Sequence, residues 1–348
     1  MVEGKRGAFE IGGAQIEAGT EATIQLPLSV LSDHTQVAMP VHVIHGARPG
    51  PVLFVSAAVH GDEILGAEII RRLVNKLTVG KVRGTLMLIP IVNTYGFIAN
   101  SRYLPDRRDL NRSFPGSPSG SLASQLAHKF MEEIVSRADY GIDLHTAAIH
   151  RENLPQIRAG VDDAQVRELA EAFAAPIILK ADMRDGSLRE AAQAVGCHTL
   201  LYEAGEALRF NEFAVRIGVK GVIRVMQYLG MLHRRGFAKG AKAPVLSNAS
   251  TWVRAPSGGL MRLLKGLGDV VEKGDVLSIV ADPLGYEERE LVSPVKGVII
   301  GRSNMPAVNQ GDAIFHIARV YDPGAVDEDL QSLEKSLGAD PLFDTEIV

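Results

Sequence analysis

Three short apolar runs separated by segments with helical spacing constrain the fold of this chain more than any other feature. The runs cover 52–59, 84–90 and 140–145. Apolar side chains recur at helical spacing over 63–77 and 121–137. Continuous apolar runs of this length are typical of strands buried on both faces. Strands that alternate with helices predict an α/β domain with a mixed, largely parallel sheet flanked by helices.

The composition and the secondary-structure signals of the sequence change near residue 236. A Gly-, Ala- and Lys-rich stretch gives way to strand signals and Gly-Asp turns, and helical spacing disappears. We therefore predict an α/β domain over 1–235, a linker over 236–249, a β-rich domain over 250–320 and a C-terminal tail over 321–348.

The β-rich region contains an internal repeat. Residues 271–277 reappear as 308–314, and 256–260 reappear as 294–298. Two matching all-β halves predict a small two-fold sandwich or barrel, similar to the barrel-sandwich hybrid of biotinyl and lipoyl domains. Such carriers present a lysine at a hairpin tip, whereas 282–289 contains none. We therefore expect this region to be structural or to cap a site.

Charge and composition disfavour several classes of function. Lys and Arg number 37 against 41 Asp and Glu, a net charge of −4 without an extended basic run, so nucleic acid and anionic membranes are not expected partners. No apolar stretch approaches the roughly 18–20 residues of a membrane span, and we expect a soluble cytoplasmic protein.

The single cysteine, Cys197, excludes an intrachain disulfide. Strand neighbours point to opposite faces, so Cys197 and His198 are not expected to form a catalytic pair.

A candidate metal site comes from two strand ends. His60 and Glu63 follow the run 52–59 and lie three residues apart at the entrance of a predicted helix. His145 ends another apolar run, and Asp143 points to the same face two residues earlier. Imidazole nitrogen and carboxylate oxygen are the ligands of catalytic zinc sites. The alternatives are a core histidine and an acidic residue that favours the first helical turn.

A polar loop dense in arginine and a later carboxylate complete the candidate site. Within the loop 101–116, Asn111 and Arg112 suit a carboxylate, because guanidinium forks bind carboxylates bidentately. The apolar strand 200–206 stops on Glu203 before a glycine. A carboxylate buried at a strand end beside a metal site is typical of a general base.

These motifs, in this order, resemble the succinylglutamate desuccinylase/aspartoacylase family of zinc deacylases, relatives of the zinc carboxypeptidases. The resemblance covers about 40–230, and the β-rich C-terminal region is also similar to that of the family. It implies a zinc-carboxypeptidase-like fold for the α/β domain. It also implies one zinc ion per chain, held by His60, Glu63 and His145.

The same resemblance implies roles in the reaction. Glu203 is expected to be the catalytic base, and Arg102 is expected to polarise the scissile carbonyl. The spacing from Arg102 to Asp109 is longer than in aspartoacylase, so Arg107 and Arg108 stay open as alternatives to Arg102.

Substrate binding is assigned by resemblance to the loop. Asn111 and Arg112 are expected to bind a substrate carboxylate, and Asp109 is expected to steady them. The predicted function is hydrolysis of the amide bond of an N-acyl amino acid or a similar small carboxylate-bearing amide. A carboxypeptidase-like peptidase and a non-catalytic metal-binding or interaction protein are the alternatives. The acyl group, the amine and the oligomeric state, a homo-oligomer included, have no signal in the sequence.

Overall fold

A computed structural model describes residues 6–233 and 244–320, together with six positions between 324 and 337. Most of the predicted linker, 236–243, and most of the predicted tail 321–348 lie outside the described residues. The last part of that linker forms a short strand at Val245–Ser247. Among the described residues, no helix combines the length and apolar character needed to cross a membrane.

Strands and helices alternate through the first part of the chain, and strands alone follow. The helices are α1 (Leu65–Lys76), α2 (Thr94–Ile98), α3 (Leu122–Glu133), α4 (Ala164–Phe173), α5 (Leu188–Ala194) and α6 (Glu212–Tyr228). The strands up to α6 are β1 (Phe9–Ile11), β2 (Ala14–Ile16), β3 (Thr20–Val30), β4 (Gln36–His45), β5 (Arg48–Ala57), β6 (Arg83–Ile89), β7 (Tyr140–Ala147), β8 (Arg151–Ala159), β9 (Ile177–Lys180) and β10 (His198–Glu206). The C-terminal strands are β11 (Val245–Ser247), β12 (Ala249–Arg254), β13 (Gly259–Leu263), β14 (Val270–Val271), β15 (Val276–Ala281), β16 (Glu288–Val292), β17 (Gly297–Ser303), β18 (Ala307–Val308) and β19 (Ala313–Arg319).

One large mixed sheet organises the molecule, in the order β12-β19-β17-β8-β10-β7-β5-β6-β4-β3. The four central strands, β10, β7, β5 and β6, are parallel to one another. Antiparallel pairs extend the sheet on both sides. The predicted α/β fold with a mixed sheet is therefore confirmed, with parallel pairing concentrated at its centre.

Both faces of the central strands are buried, which explains their continuous apolar runs. On β5, Leu53 and Val55 pack with α1, α4 and α6 in one apolar core. Phe54 lies between them in sequence and packs with α3 and α5 in a second core. Alternate side chains of one strand thus enter two different cores.

The C-terminal strands form a sandwich with its own apolar core, as the repeat predicts. Strand β13 pairs with β15 of its own half and with β18 of the other half. Strand β17 correspondingly pairs with β19 and with β14. Each half therefore gives one short strand to the sheet of the other, around a shared core that includes Leu277 and Phe315. Strand β17 also pairs with β8, which joins the sandwich to the large sheet.

Candidate metal centre

The segment between β5 and α1 brings His60 and Glu63 to the edge of the sheet. A Cβ atom on Gly61 would lie 2.0 Å from the backbone of Gly96 in α2, so only glycine allows this close approach. The backbone N–H of Glu63 donates to the carbonyl of His60 over 3.0 Å, which closes a tight turn before α1 begins at Leu65. The turn points both side chains into the same cleft.

His145, on the neighbouring strand β7, completes a cluster of three metal-ligand types. One ligand atom from each of His60, Glu63 and His145 lies within 4.8 Å of the other two, and all three residues are buried. Glu63 Oε1 lies 2.7 Å from His60 Nδ1, and Glu63 Oε2 lies 2.7 Å from His145 Nδ1. Yet, among the residues that the structure describes, the buried His60 Nδ1 has no partner with hydrogen-bond geometry. Two nitrogens and a carboxylate that converge in this way fit a metal ion.

The outer nitrogen of each histidine faces a second carboxylate. His145 Nε2 lies 2.7 Å from Asp143 Oδ2, and His60 Nε2 lies 3.1 Å from Asp109 Oδ1. Asp143 is itself held by the hydroxyl of Ser56, which donates over 2.8 Å. Metal-binding histidines are usually oriented by such outer carboxylates. The sequence pointed to Asp143 in this role but not to Asp109.

The charges of the cluster shift the pKa values of its members in opposite directions. Burial lowers the pKa of His60 and His145, but the carboxylates of Glu63, Asp109 and Asp143 outweigh burial and raise both pKa values. Burial raises the pKa of Glu63, but the positive charges of His60 and His145 outweigh it and hold that pKa well below its usual range. Glu63 is therefore ionised, as a metal ligand must be.

Arg102 is the arginine that reaches the cluster. Its Nη1 donates to Glu63 Oε1 over 3.0 Å, and its Nη2 donates to Asp109 Oδ2 over 3.1 Å. Burial lowers the pKa of Arg102, but the charges of Glu63 and Asp109 outweigh it and raise that pKa. Arg107 and Arg108 are exposed and do not line the cavity beside the cluster. The geometry therefore favours Arg102 over both alternatives.

The loop residues proposed for substrate binding divide into two groups. Asn111 and Arg112 line the cavity, and Asn111 Oδ1 also accepts a hydrogen bond from the backbone of Leu188 over 2.9 Å. Asp109 does not line the cavity. Its carboxylate faces His60 and Arg102 and accepts from the backbone N–H of Asn111 over 2.8 Å. Its carboxylate therefore joins the backbone of the loop to His60 of the metal cluster.

Glu203 lies beside His145 on the adjacent parallel strand, because the two residues are register partners on β10 and β7. Its Oε2 accepts from Asn153 Nδ2 over 2.7 Å and faces Arg158 Nη2 at 2.9 Å. The strand bulges directly after Glu203, where Gly205 has a φ of +71°, a value that favours glycine. The bulge ends regular pairing at the point where the carboxylate enters the cavity.

The cluster opens into a cavity of about 620 Å³ with an excess of positive charge. Its acidic lining residues are Glu63, Asp143, Asp182 and Glu203. Its cationic lining residues are Arg102, Arg112, Arg151, Arg158, Lys180, Arg184, Arg189 and Arg302. In the described part of the chain, four of these cations face no carboxylate within 4.0 Å, and we call them the outer arginines: Arg112, Arg151, Arg184 and Arg189.

One wall of the cavity comes from the C-terminal strands, which the sequence did not place there. The wall consists of Ser250, Trp252, Arg302 and His316. Trp252 and His316 are stacked with ring centroids 4.3 Å apart, and the Arg151 guanidinium lies 5.6 Å from the Trp252 ring centroid. Ser250, Trp252 and His316 share a sheet face through the pairing of β12 with β19, a contact between distant segments that has no local sequence signal.

Strand β8 also contributes to the cavity, with residues to which the sequence motifs gave no role. Arg158 lines the cavity and faces Glu203. Gln156 is fully buried, and its side chain donates to the backbone carbonyl of Ile300 over 3.4 Å. Cys197 is buried too, and burial raises the pKa of its thiol to about 12, which does not suit a nucleophile.

A family model described as the succinylglutamate desuccinylase/aspartoacylase catalytic domain matches residues 49–229. That range is more than half of the 348 residues and includes every residue of the metal cluster and Glu203. The chain belongs to this family. Membership confirms the resemblance read from the sequence motifs.

Similar proteins cover nearly the whole chain, including the C-terminal strands. An N-alpha-acetyl-L-2,4-diaminobutyric acid deacetylase of Halomonas elongata is 29% identical over an alignment 335 residues long, which covers 90% of this chain and 94% of the relative. A solved succinylglutamate desuccinylase/aspartoacylase from Rhodobacter sphaeroides has 26% identity and a TM-score of 0.76, over 87% of this chain and 96% of that one. The product-bound ectoine utilization protein EutE (DoeB) from Ruegeria pomeroyi has 25% identity and a TM-score of 0.76, over 86% and 94%.

Proposed function

We propose that this chain is a zinc-dependent deacylase that hydrolyses the amide bond of an N-acyl amino acid or a similar small carboxylate-bearing amide. The observation that carries the proposal is the convergence of His60, Glu63 and His145 beside Glu203 on the neighbouring strand. Membership of a family of desuccinylases and aspartoacylases supports amide-bond deacylation as the reaction.

His60, Glu63 and His145 would hold the zinc ion. Two imidazole nitrogens and one carboxylate form the ligand set of several catalytic zinc sites, which keep a further position open. When bound, zinc lowers the pKa of a water molecule and polarises the scissile carbonyl. Asp109 and Asp143 orient the two imidazoles from outside.

Side chains of the protein would transfer the protons and stabilise the charge that develops during the reaction. Glu203 takes a proton from the attacking water. In the described part of the chain, its hydrogen bond from Asn153 and its ion pair with Arg158 both lie on Oε2, which leaves Oε1 for the proton. The guanidinium of Arg102 stabilises negative charge on the carbonyl oxygen. Glu203 then gives the proton to the amine nitrogen as the C–N bond breaks, which releases a carboxylate and a free amine.

The outer arginines support an anionic substrate. They face no carboxylate in the described part of the chain, so a substrate carboxylate could occupy them without competition. The Halomonas relative acts on a substrate whose name includes a second amino group. A second amine is poorly matched to these arginines, so we propose that carboxylate-rich amides are better substrates here than amine-bearing ones.

A hydrolysis panel with zinc-loaded protein tests the proposal. The panel contains N-acetyl and N-succinyl amino acids, N-acetyl-2,4-diaminobutyrate and short peptides, and release of free amine is measured. We expect turnover of N-acyl amino acids and none of peptides. Turnover of peptides alone would replace the deacylase with a carboxypeptidase-like peptidase.

Glu203→Gln tests the base on whichever substrate is turned over. We expect kcat to fall by about 10²–10⁴-fold while one zinc per chain is retained. The matched control is Glu206→Gln, since Glu206 ends the same strand but faces His150 and Asn304 instead of lining the cavity. A Glu203→Gln variant with near-normal kcat would exclude Glu203 as the base.

A further inference from the structure

The carboxylate of Glu203 is held from strand β8 by the side chain of Asn153. Asn153 Nδ2 donates to Glu203 Oε2 over 2.7 Å, and Asn153 is only 7% exposed. In the described part of the chain, the second partner of this oxygen is Arg158, whose Nη2 lies 2.9 Å away. A hydrogen bond and an ion pair on the same oxygen orient the carboxylate and leave its other oxygen for the reaction.

The carboxamide of Asn153 lies against a glycine of the C-terminal strands, which leaves room for it. Gly301 on β17 is the register partner of Asn153 on β8 and of His316 on β19. A Cβ atom added to Gly301 would lie 2.8 Å from Asn153 Oδ1 and 3.3 Å from His316 Cβ. The first distance is too short for a real contact, so the carboxamide can keep its place only beside glycine.

We propose that Asn153 is a positioning residue for Glu203, and that Gly301 of the C-terminal strands keeps the Asn153 carboxamide in place. The inference rests on the proposed role of Glu203 as the base. It gives the C-terminal strands a part in the reaction beyond lining the cavity, because β17 supports the residue that orients the base.

The placement separates this role from simple sheet stabilisation. Backbone pairing of β8 with β17 needs no particular side chain at position 153, and the residue before it, Glu152, pairs with Arg302 at the same junction. The Asn153 side chain, by contrast, points its donor at one oxygen of one carboxylate. Loss of that donor should therefore slow the chemical step more than it weakens substrate binding or the fold.

The experiment is a double-mutant cycle on kcat, with zinc content and thermal stability measured for every variant. The variants are Asn153→Ala, Gly301→Ala and the double variant, with Asn153→Asp as a change that keeps the shape but removes the donor. Gly258→Ala is the matched control, because a Cβ there meets its nearest neighbour at an ordinary 3.5 Å.

We expect Asn153→Ala to lower kcat about 10–100-fold with little change in KM and with zinc retained, as for other outer-shell partners. Asn153→Asp should lose at least as much. Gly301→Ala should lower kcat by a smaller factor, and it should add no further loss in the Asn153→Ala background, because the displaced carboxamide is then absent.

Wild-type kcat in both Asn153 variants would overturn the positioning role, and additive losses in the cycle would overturn the part assigned to Gly301. The failure of the proposed function has a different signature. An active Glu203→Gln variant would remove the base assignment itself, whereas an inactive Glu203→Gln beside a fully active Asn153→Ala would remove only the positioning role.

Discussion

The metal cluster and the outer arginines lie in one cavity, but they differ in whether their charged side chains face an oppositely charged partner. In the cluster, His145 faces Asp143 and Glu63, and Arg102 faces Glu63 and Asp109. The outer arginines face no carboxylate in the described part of the chain. Fixed partners hold the cluster in shape before substrate arrives, whereas unpaired cations keep their interaction energy for a ligand. We therefore expect the cluster to carry the chemistry and the outer arginines to bind the substrate.

The largest effect should follow from removing a ligand of the cluster. His145→Ala deletes one expected metal ligand and leaves the buried Asp143 without its cationic partner, so we expect loss of the zinc and of all measurable turnover. Elemental analysis and the hydrolysis assay check this result. His150→Ala is the control, since His150 is exposed five residues further on. One zinc per chain in His145→Ala would contradict the ligand assignment.

Removing the charge of a carboxylate that orients a histidine of the cluster should lower zinc affinity less than removing a ligand does. Asp143→Asn keeps the shape but loses the charge that orients His145, and we expect zinc affinity to fall about 10–100-fold. Competition with a chelator of known affinity measures the change. Asp162→Asn is the control, because its side chain is 78% exposed. Unchanged affinity would mean that Asp143 has no part in metal binding.

An outer arginine should affect binding and spare the metal. Arg112→Ala removes one cation of the carboxylate site, and we expect KM to rise about tenfold with the zinc content unchanged. Steady-state kinetics on an N-acyl amino acid check this result against Arg262→Ala, an exposed arginine of the C-terminal strands. A loss of zinc in Arg112→Ala would contradict the expectation that the cluster alone binds the metal and the outer arginines bind the substrate.

The last prediction concerns the stability of the fold rather than the reaction, at His316, a buried residue of the C-terminal wall. Burial, assisted by the charge of Arg158, lowers the pKa of His316 from 6.5 to about 3. As the pH falls through 6.5 the unfolded chain binds a proton that the folded chain does not. The free energy of unfolding should therefore decrease from about pH 6.5 down to about pH 3, by roughly 1.4 kcal/mol per pH unit.

Thermal unfolding at several pH values measures this contribution. His316→Asn should lose less stability than the wild type between pH 7 and pH 5, because it has no imidazole to protonate. His34→Asn, at an exposed position, should follow the wild type. The same pH dependence in all three proteins would show that His316 contributes nothing to it.

The positions of His60, His145 and Glu203 at one edge of the sheet were predictable because local sequence signals specify them. A continuous apolar run predicts a buried central strand, and polar residues at its end lie at the sheet edge, which located His60, His145 and Glu203. The pairing of His60 with Asp109 depends on how the arginine loop folds back, and spacing alone does not reveal it.

The C-terminal contribution to the site was not predictable, for a physical reason. The repeat correctly predicted a two-fold all-β arrangement, because each half carries its own turn and strand pattern. The pairing of β17 with β8, however, joins residues about 150 positions apart, such as Gly301 and Asn153. Neither strand has a local sequence pattern that indicates which strand it pairs with. The sequence therefore gave no reason to assign Asn153, Trp252 or His316 to the site.

The join between β8 and β17 also has a consequence for synthesis of the chain. His60, Glu63, His145 and Glu203 all precede residue 204, whereas β17 follows about a hundred residues later. Until β17 has left the ribosome, the start of β8 is an open strand edge, which is a template for wrong pairing. A nascent chain can therefore assemble the metal cluster before the cavity has all its walls, and that edge is covered only after β17 has been made.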